Sequence, residues 1–171
     1  MAAKLIDLSF TLNGRKVKVQ IAPDTMLFAL LREQGCASVR CACETTNCGL
    51  CTVWLDGDPV LSCSVPAARV EGHTITTLEG LKAESEALAR AMAAEGAEQC
   101  GFCAPGLIMN VLALACAAKE DPSLVATREE LSRQLAGNLC RCSGYESQLR
   151  AIVRFLNESG VQVGFEMPEL P

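Results

Sequence analysis

Eight of the eleven cysteines in this chain fall into two groups of four. The first reads Cys43-x4-Cys48-x2-Cys51, with Cys63 further on; the second reads Cys100-x2-Cys103 and then Cys140-x-Cys142. Four thiolates hold a two-iron, two-sulfide cluster, two sulfurs on each iron. Zinc also accepts four thiolates, so the spacing of the second group taken alone leaves both metals open. In the first group Gly49 permits close backbone approach inside the loop. A tight loop there turns N–H groups toward sulfur, as a negatively charged cluster requires. Nothing else resembles a catalytic constellation: there is no nucleophile–base pair and no G-x-G-x-x-G element for a nucleotide. Two cysteine groups without substrate chemistry read as an electron wire.

The elements that must position these thiols change character along the chain. Ile6, Leu8, Phe10 and Leu12 alternate with mostly polar residues, Asn13-Gly14 intervenes, and Val17, Val19 and Ile21 alternate again. This pattern predicts a β-hairpin. Pro23-Asp24-Thr25 offers cap chemistry for a helix over residues 26–34, which Gly35 stops. After a cysteine-rich loop, residues 52–55 and 60–63 read as strands about the Asp56-Gly57 turn, and residues 70–75 as a last strand. Beyond Thr77 the pattern predicts helices over residues 78–95, 106–119, 128–135 and 148–159, broken at Asp121-Pro122-Ser123 and Gly137-Asn138. The expected fold class is α+β: a β-grasp domain over 1–77, a helical bundle over 78–160, and a tail over 161–171 whose residues 165–171 form a peripheral arm.

Composition narrows the function classes. Aromatic residues are only 4% of the chain, so the cores must be built from aliphatic side chains, and small cores of this kind often need a metal staple. The net charge of −5 arises entirely after residue 77, on presumptive helix faces, and an acidic chain lacks the basic footprint of a nucleic-acid binder. No apolar run approaches the length of a membrane span, no export signal is legible, and an odd cysteine count argues against a disulfide framework. The expected location is the cytoplasm, with no nucleic-acid or membrane partner. Cys116, within an apolar run, is expected to be a buried hydrophobe, and Cys36 to be buried or idle. His73 falls in an expected turn, Trp54 and Tyr145 read as packing or interface residues, and Arg141 as a charge-offsetting or a surface arginine.

Three motifs in order carry a resemblance. The stretch from Cys43 to Cys63, Gln99-Cys100-Gly-Phe-Cys103-Ala-Pro-Gly106, and Gly137-Asn-Leu-Cys140-Arg-Cys142-Ser-Gly-Tyr145 resemble the small iron–sulfur subunit of the molybdenum hydroxylases, the xanthine dehydrogenase and aldehyde oxidase family. The likeness spans residues 5–156, and residues 43–57 are similar to bacterial xanthine (purine) dehydrogenase small subunits. The first spacing is that of plant-type ferredoxins.

The resemblance implies an N-terminal ferredoxin-like domain and a C-terminal helical domain, each with one [2Fe-2S] cluster. Cys43, Cys48, Cys51 and Cys63 would hold the distal cluster, and Cys100, Cys103, Cys140 and Cys142 the proximal one. Gln99 and Cys142 would touch the pterin of a molybdenum cofactor in a large partner subunit, where substrate is hydroxylated. A medium subunit would hold FAD, completing a heterotrimer. The chain alone would be non-catalytic. A purine such as xanthine is the leading substrate, with nicotinate, another N-heterocycle or an aldehyde as alternatives. A free-standing two-cluster ferredoxin is the rival; the hydroxylase reading predicts an exposed apolar patch of Phe102, Ala104, Pro105, Leu139 and Tyr145.

The chain departs from the family at Thr45-Thr46, where glycine is common, and at Ala104, where Thr or Ser is frequent. Cys41 lies close enough to Cys43 for a shifted ligand set, although its spacing to Cys48 does not fit the plant-type pattern. With the first group present and the flanking Gln99 and Gly137-Asn138 in place, iron is favoured over zinc for the second group.

Overall fold

A computed structural model of the chain describes residues 4–121, 124, 127–165 and 167. The alternating N-terminal segments form strands β1 (Ile6–Leu12) and β2 (Arg15–Ile21), which pair antiparallel with Leu12 opposite Arg15. Asn13 and Gly14 turn the hairpin at φ 49° and 77°, the left-handed pair that matches strand twist. Strands β3 (Thr52–Leu55) and β4 (Asp58–Leu61) form a second hairpin about Asp56-Gly57. Strand β5 (Thr74–Thr76) enters between the hairpins, parallel to β1 and antiparallel to β3, giving the order β2-β1-β5-β3-β4.

Helix α1 (Leu27–Glu33) buries Leu27, Leu30 and Leu31 against the sheet residues Leu8, Phe10, Val53 and Ile75. The expected side-chain cap before this helix is not made. Met26 pairs instead with Pro66 in an isolated bridge, and the Leu27 N–H donates to the Val65 carbonyl at 2.8 Å, so main chain satisfies the helix start. At its end Gly35, at φ 86°, donates to the Arg32 carbonyl, and Cys36 donates to that of Leu31. That is the Schellman pattern expected of a stopping glycine.

Two strand expectations are corrected. Residues 60–63 do not all extend: β4 ends at Leu61, and Cys63 lies in a 3₁₀ turn over Ser62–Ser64. Residues 70–75 do not form one strand either. A 3₁₀ turn occupies Ala67–Val70, Gly72 takes φ 76°, and the His73 N–H donates back to the Val70 carbonyl, which delays extension until Thr74.

The second half packs α2 (Lys82–Ala94), α3 (Ala104–Glu120), α4 (Arg128–Leu135) and α5 (Glu146–Glu158) about Leu88, Met92, Val111, Leu131, Ile152 and Leu156. Residues 78–80 are 3₁₀ rather than α, so α2 starts later than expected. Helix α3 starts earlier, with Pro105 in its first turn, where a missing N–H costs nothing. Ala104 and Pro105 are consequently buried and do not join an exposed patch. Cys116 is exposed, not buried. The buried stripe of α3 runs through Leu112, Ala115 and Ala118, and the alanine-rich run hid which face Cys116 takes. Of the expected tail, Val161 is buried, and Phe165 and Met167 pack against the second core. Residues 166 and 168–171, like 1–3 and the expected break at 122–123, lie outside the described residues.

The two halves meet along a seam. Trp54 Nε1 donates to the Met109 carbonyl at 2.9 Å, and the backbone of Gly49 lies against Gly106 on one side and Gly137 on the other. A Cβ at Gly106 would collide with the Gly49 carbonyl and come within 3.0 Å of Leu50 Cα, both backbone atoms that cannot swing away. Gly106→Ala is expected to lower stability by about 1–3 kcal/mol. Gly137→Ala, where an added Cβ meets nothing within 4 Å, should leave the thermal midpoint near wild type. Paired thermal melts check both.

Candidate metal centres

Three members of the first cysteine group, Cys43, Cys48 and Cys51, lie on residues 36–51, a loop without regular structure between α1 and β3, and Cys63 reaches them from the 3₁₀ turn after β4. Arg32 fastens its base by donating to the Ala37 carbonyl at 2.8 Å, and Glu79 accepts from Ser38 N and Oγ at 2.8 and 2.6 Å. Burial tends to raise the Glu79 carboxyl, but hydrogen bonds from Ser38 and Thr77 outweigh it and hold it below the usual value. Of Thr45-Thr46, where the family resemblance leads one to expect glycine, Thr46 takes a left-handed φ of 56°, and Glu44 just before the pair takes 52°. The loop therefore keeps a tight path at the expense of backbone strain in a β-branched residue.

That path aims N–H groups at sulfur. Asn47 N donates to Cys43 Sγ at 3.4 Å. N–H groups of Asn47 and Thr45, with the Cys48 thiol, pull the Cys43 thiol down to about 6. On the other side, Ser62 N and Oγ both donate to the Cys51 carbonyl, at 3.2 and 2.8 Å, and hold the 3₁₀ turn bearing Cys63 against the start of β3. Burial, and then the neighbouring Cys51 thiol, push Cys63 up to about 12. The group thus forms two contacts, Cys43 with Cys48 and Cys51 with Cys63. Cys41 acts on Cys63 only through charge, whereas Cys43 is the thiol that engages Cys48.

The second group joins the loop before α3 to the loop between α4 and α5. Cys142 Sγ lies 3.4 Å from Cys100 Sγ, and Cys103 contacts Cys140. Ser143 N and Oγ donate to Cys140 Sγ at 3.4 and 3.2 Å. Burial opposes ionisation of Cys140, but these bonds prevail and bring it down to about 7. Cys103 goes the other way, up to about 11, because it is buried and faces Cys140. Tyr145, at φ 70°, accepts from the Cys140 N–H at 3.0 Å through its hydroxyl, curling residues 140–145 round the sulfur. From the other half, Arg40 donates to the Gly101 and Phe102 carbonyls at 2.5 and 3.1 Å and lies 5.4 Å over the Phe102 ring.

The sulfurs are arranged in pairs. Among the described residues no three Cys, His, Asp or Glu side chains gather as a single metal ion would need. A lone tetrahedral zinc requires all four thiolates at one point. Two thiolates on one tetrahedral metal with bonds near 2.3 Å lie roughly 3.8 Å apart, close to the spacing of Cys100 and Cys142. Two pairs per group is what a two-iron cluster uses, so the residues fit that cofactor, and the zinc alternative for the second group is set aside.

The two sites share the seam. The Leu139 N–H donates to the Cys48 carbonyl at 2.9 Å, and Asn138, held by Asn110 at 2.5 Å, faces the Gly49 carbonyl at 3.4 Å. Cys48 belongs to the first group and Leu139 directly precedes Cys140 of the second. Gln99 and Arg141 are exposed beside Cys100 and Cys142. His73 is likewise exposed and pairs with Asp56 at 2.5 Å, away from both groups. Sequence reasoning missed Arg40, Ser62, Ser143 and Gln148. Of these only Gln148 carried a signal, as a polar residue in the apolar stripe of α5.

Comparison with known proteins agrees with this chemistry. Residues 10–76 match the 2Fe-2S iron-sulfur cluster binding domain family, and residues 77–153 match the [2Fe-2S] binding domain family. The chain is 42% identical to the xanthine dehydrogenase iron-sulfur-binding subunit of Escherichia coli O157:H7, over 88% of this chain and 94% of that one. It is 38% identical to the nicotinate dehydrogenase small FeS subunit of Eubacterium barkeri, over 90% and 96% of the two chains. A chain of quinoline 2-oxidoreductase from Pseudomonas putida 86 superposes with a TM-score of 0.81 at 33% identity, covering 92% of this chain and 98% of that one. The chain belongs to the small iron–sulfur subunits of the molybdenum hydroxylase family, an oxidoreductase subunit with two [2Fe-2S]-binding domains in an α+β fold.

Two outcomes follow from the loop geometry. In the cluster-free chain at pH 7, Cys43 should be alkylated by iodoacetamide well before Cys63, because a thiol near 6 is mostly thiolate and one near 12 is not. Acidifying below pH 6 should slow the alkylation of Cys43 about tenfold per pH unit as its thiolate is protonated, while Cys43 stays ahead of Cys63, as peptide mass spectrometry would show. Thr46→Gly should raise stability by about 0.5–1 kcal/mol in a thermal melt, since glycine accepts the left-handed backbone without strain.

Proposed function

We propose that this chain carries electrons one at a time between a molybdopterin-binding large subunit and a flavin-binding subunit of a hydroxylase acting on a purine such as xanthine. In this reading Cys100, Cys103, Cys140 and Cys142, within residues 78–160, hold the cluster nearer molybdenum. Cys43, Cys48, Cys51 and Cys63, within residues 1–77, hold the one nearer FAD, and Gln99 and Cys142 touch the pterin. Each cluster, when bound, supplies a one-electron redox step.

The observation that carries this reading is the 2.9 Å hydrogen bond from Leu139 N to the Cys48 carbonyl. It joins the two thiol groups through a short run of covalent bonds and one hydrogen bond, locked by the glycine contacts on either side. The chain's own residues supply the rest: N–H and hydroxyl donors around sulfur, burial of Cys48 and Cys51, and a fixed spacing of the two loops.

The surface favours a partnered subunit over a free-standing ferredoxin. Phe102, Leu139 and Tyr145 are large apolar side chains, each exposed by more than two fifths, and Cys100, Cys142 and Gln99 are exposed in the same two cysteine loops. Burying that face against the large subunit would bring Cys142 and Gln99 to its cofactor. The purine assignment rests on the likeness to a xanthine dehydrogenase subunit; nicotinate is the second reading, by the likeness to a nicotinate dehydrogenase subunit. No described helix is long and apolar enough to cross a membrane, and the proposed location is the cytoplasm.

The test is EPR on the dithionite-reduced protein, with iron counted on the same sample and the native complex isolated in parallel. Two distinct signals with about four irons per chain are expected, and a molybdenum-containing large subunit should accompany the chain. Cys51→Ser should remove or alter one signal and Cys103→Ser the other. A single signal, zinc in the second site, or a chain that purifies alone would overturn the proposal.

A further inference from the structure

Helix α5 presents a buried stripe of Gln148, Ala151, Ile152, Phe155 and Leu156 at helical spacing. Every member is apolar except Gln148, which is only 4% exposed. Beside it lies a cavity of about 300 Å³ lined by Gln148 itself, by Leu107, Leu131 and Ile152, and also by the polar Arg128 and Glu146. An amide in such surroundings is unfavourable unless it is hydrogen-bonded. Leucine would extend the stripe without that penalty. Gln148 Nε2 instead reaches across the fold to Cys103 Sγ at 3.6 Å, a normal separation for an acceptor as large as sulfur.

A neutral thiol is a poor acceptor, so this contact does little to offset the buried amide in the metal-free chain. A thiolate bound to a cluster is anionic and accepts strongly. One added electron gives the cluster one more negative charge, while the amide proton stays on nitrogen and no bond breaks. The N–H···S bond is therefore stronger in the reduced state, and hydrogen bonds to cluster sulfurs are a recognised lever on potential. Cys103 is where that lever acts with least competition from water. Cys100 and Cys142 are exposed, and Cys140 already accepts from Ser143.

We propose that Gln148 is a positioning residue that raises the reduction potential of the second cluster through its N–H···S bond to Cys103. This rests on the reading that Cys100, Cys103, Cys140 and Cys142 hold that cluster. The first site has no equivalent: among the described residues, the hydrogen bonds found at its sulfurs come from backbone N–H groups near Cys43 and from neighbouring thiols, not from a side-chain amide.

The experiment is a redox titration of the native complex, followed by EPR, on wild type, Gln148→Leu and Gln148→Met. Both replacements fill the site without a donor. Each should lower the reduced-to-oxidised ratio of one signal about tenfold at a fixed potential, about 59 mV for a one-electron couple, and leave the other signal's midpoint unchanged. Two variants with full iron and wild-type midpoints would overturn the proposal.

Should both variants lose iron, the wild-type chain with ¹⁵N-labelled glutamine side chains decides. Its reduced second cluster must show a pulsed-EPR coupling to an amide nitrogen that persists in Gln99→Leu, and absence of that coupling refutes the role of Gln148. A wild type lacking the second signal altogether is a distinct result that refutes the ligand assignment itself.

Discussion

The contact on which both thiol sites depend is between backbones. The Cys48-Gly49-Leu50 segment is enclosed between the first turn of α3 and residues 137–139, close enough that an added Cβ at Gly49 would meet Asn138 Nδ2 at 2.6 Å. Side chains cannot mediate so short an approach. Glycine at both 49 and 106 lets main chain touch main chain, and the Leu139–Cys48 hydrogen bond satisfies polar groups that the contact would otherwise strand. Each half contributes its own core, but the separation of the two loops is set here, with Trp54 and Arg40 as flanking fasteners. The proposed electron path needs a fixed gap between its sites more than a moving part.

Electrostatics divides each site along the same line. In the first, Cys48 and Cys51 are buried while Cys43 meets N–H donors at the loop rim. In the second, Cys100 and Cys142 face outward while Cys103 and Cys140 are half-buried and collect donors from Gln148 and Ser143. An exposed end for contact with a partner and an inner end for transfer within the chain suit an intermediate carrier. Exposed apolar groups gather in the outward loops, and the acidic excess of the second half resides largely on helix faces.

Local chemistry made much of the fold legible. The Asn-Gly hairpin, the Asp56-Gly57 turn, helix α4 over residues 128–135 and the glycine stop at Gly35 all follow from backbone preferences that act over a few residues. The misreadings arose where a longer-range contact overrode such a preference. Met26 is bridged by Pro66 and the Leu27 N–H donates to the Val65 carbonyl, so the Asp24 and Thr25 cap chemistry goes unused. The start of α3 is pressed on Gly49 and Leu50, which buries Ala104 and Pro105 against expectation. Thr46 adopts a conformation its own propensity disfavours because the loop must close round Cys43.

The sequence by itself determined the spacing of the two cysteine groups and the two-part order of the chain, since spacing within a loop and hydrophobic periodicity are local properties. The tertiary structure alone decided how the thiols pair. Cys142 finds Cys100 across 42 residues, and Cys103 takes Cys140 and Gln148 as neighbours. It also decided that Cys48 and Leu139 share a hydrogen bond. The thiol pairings depend on how the helices of the second core pack, and the last bond on how the two cores settle against one another, which no local window of residues encodes.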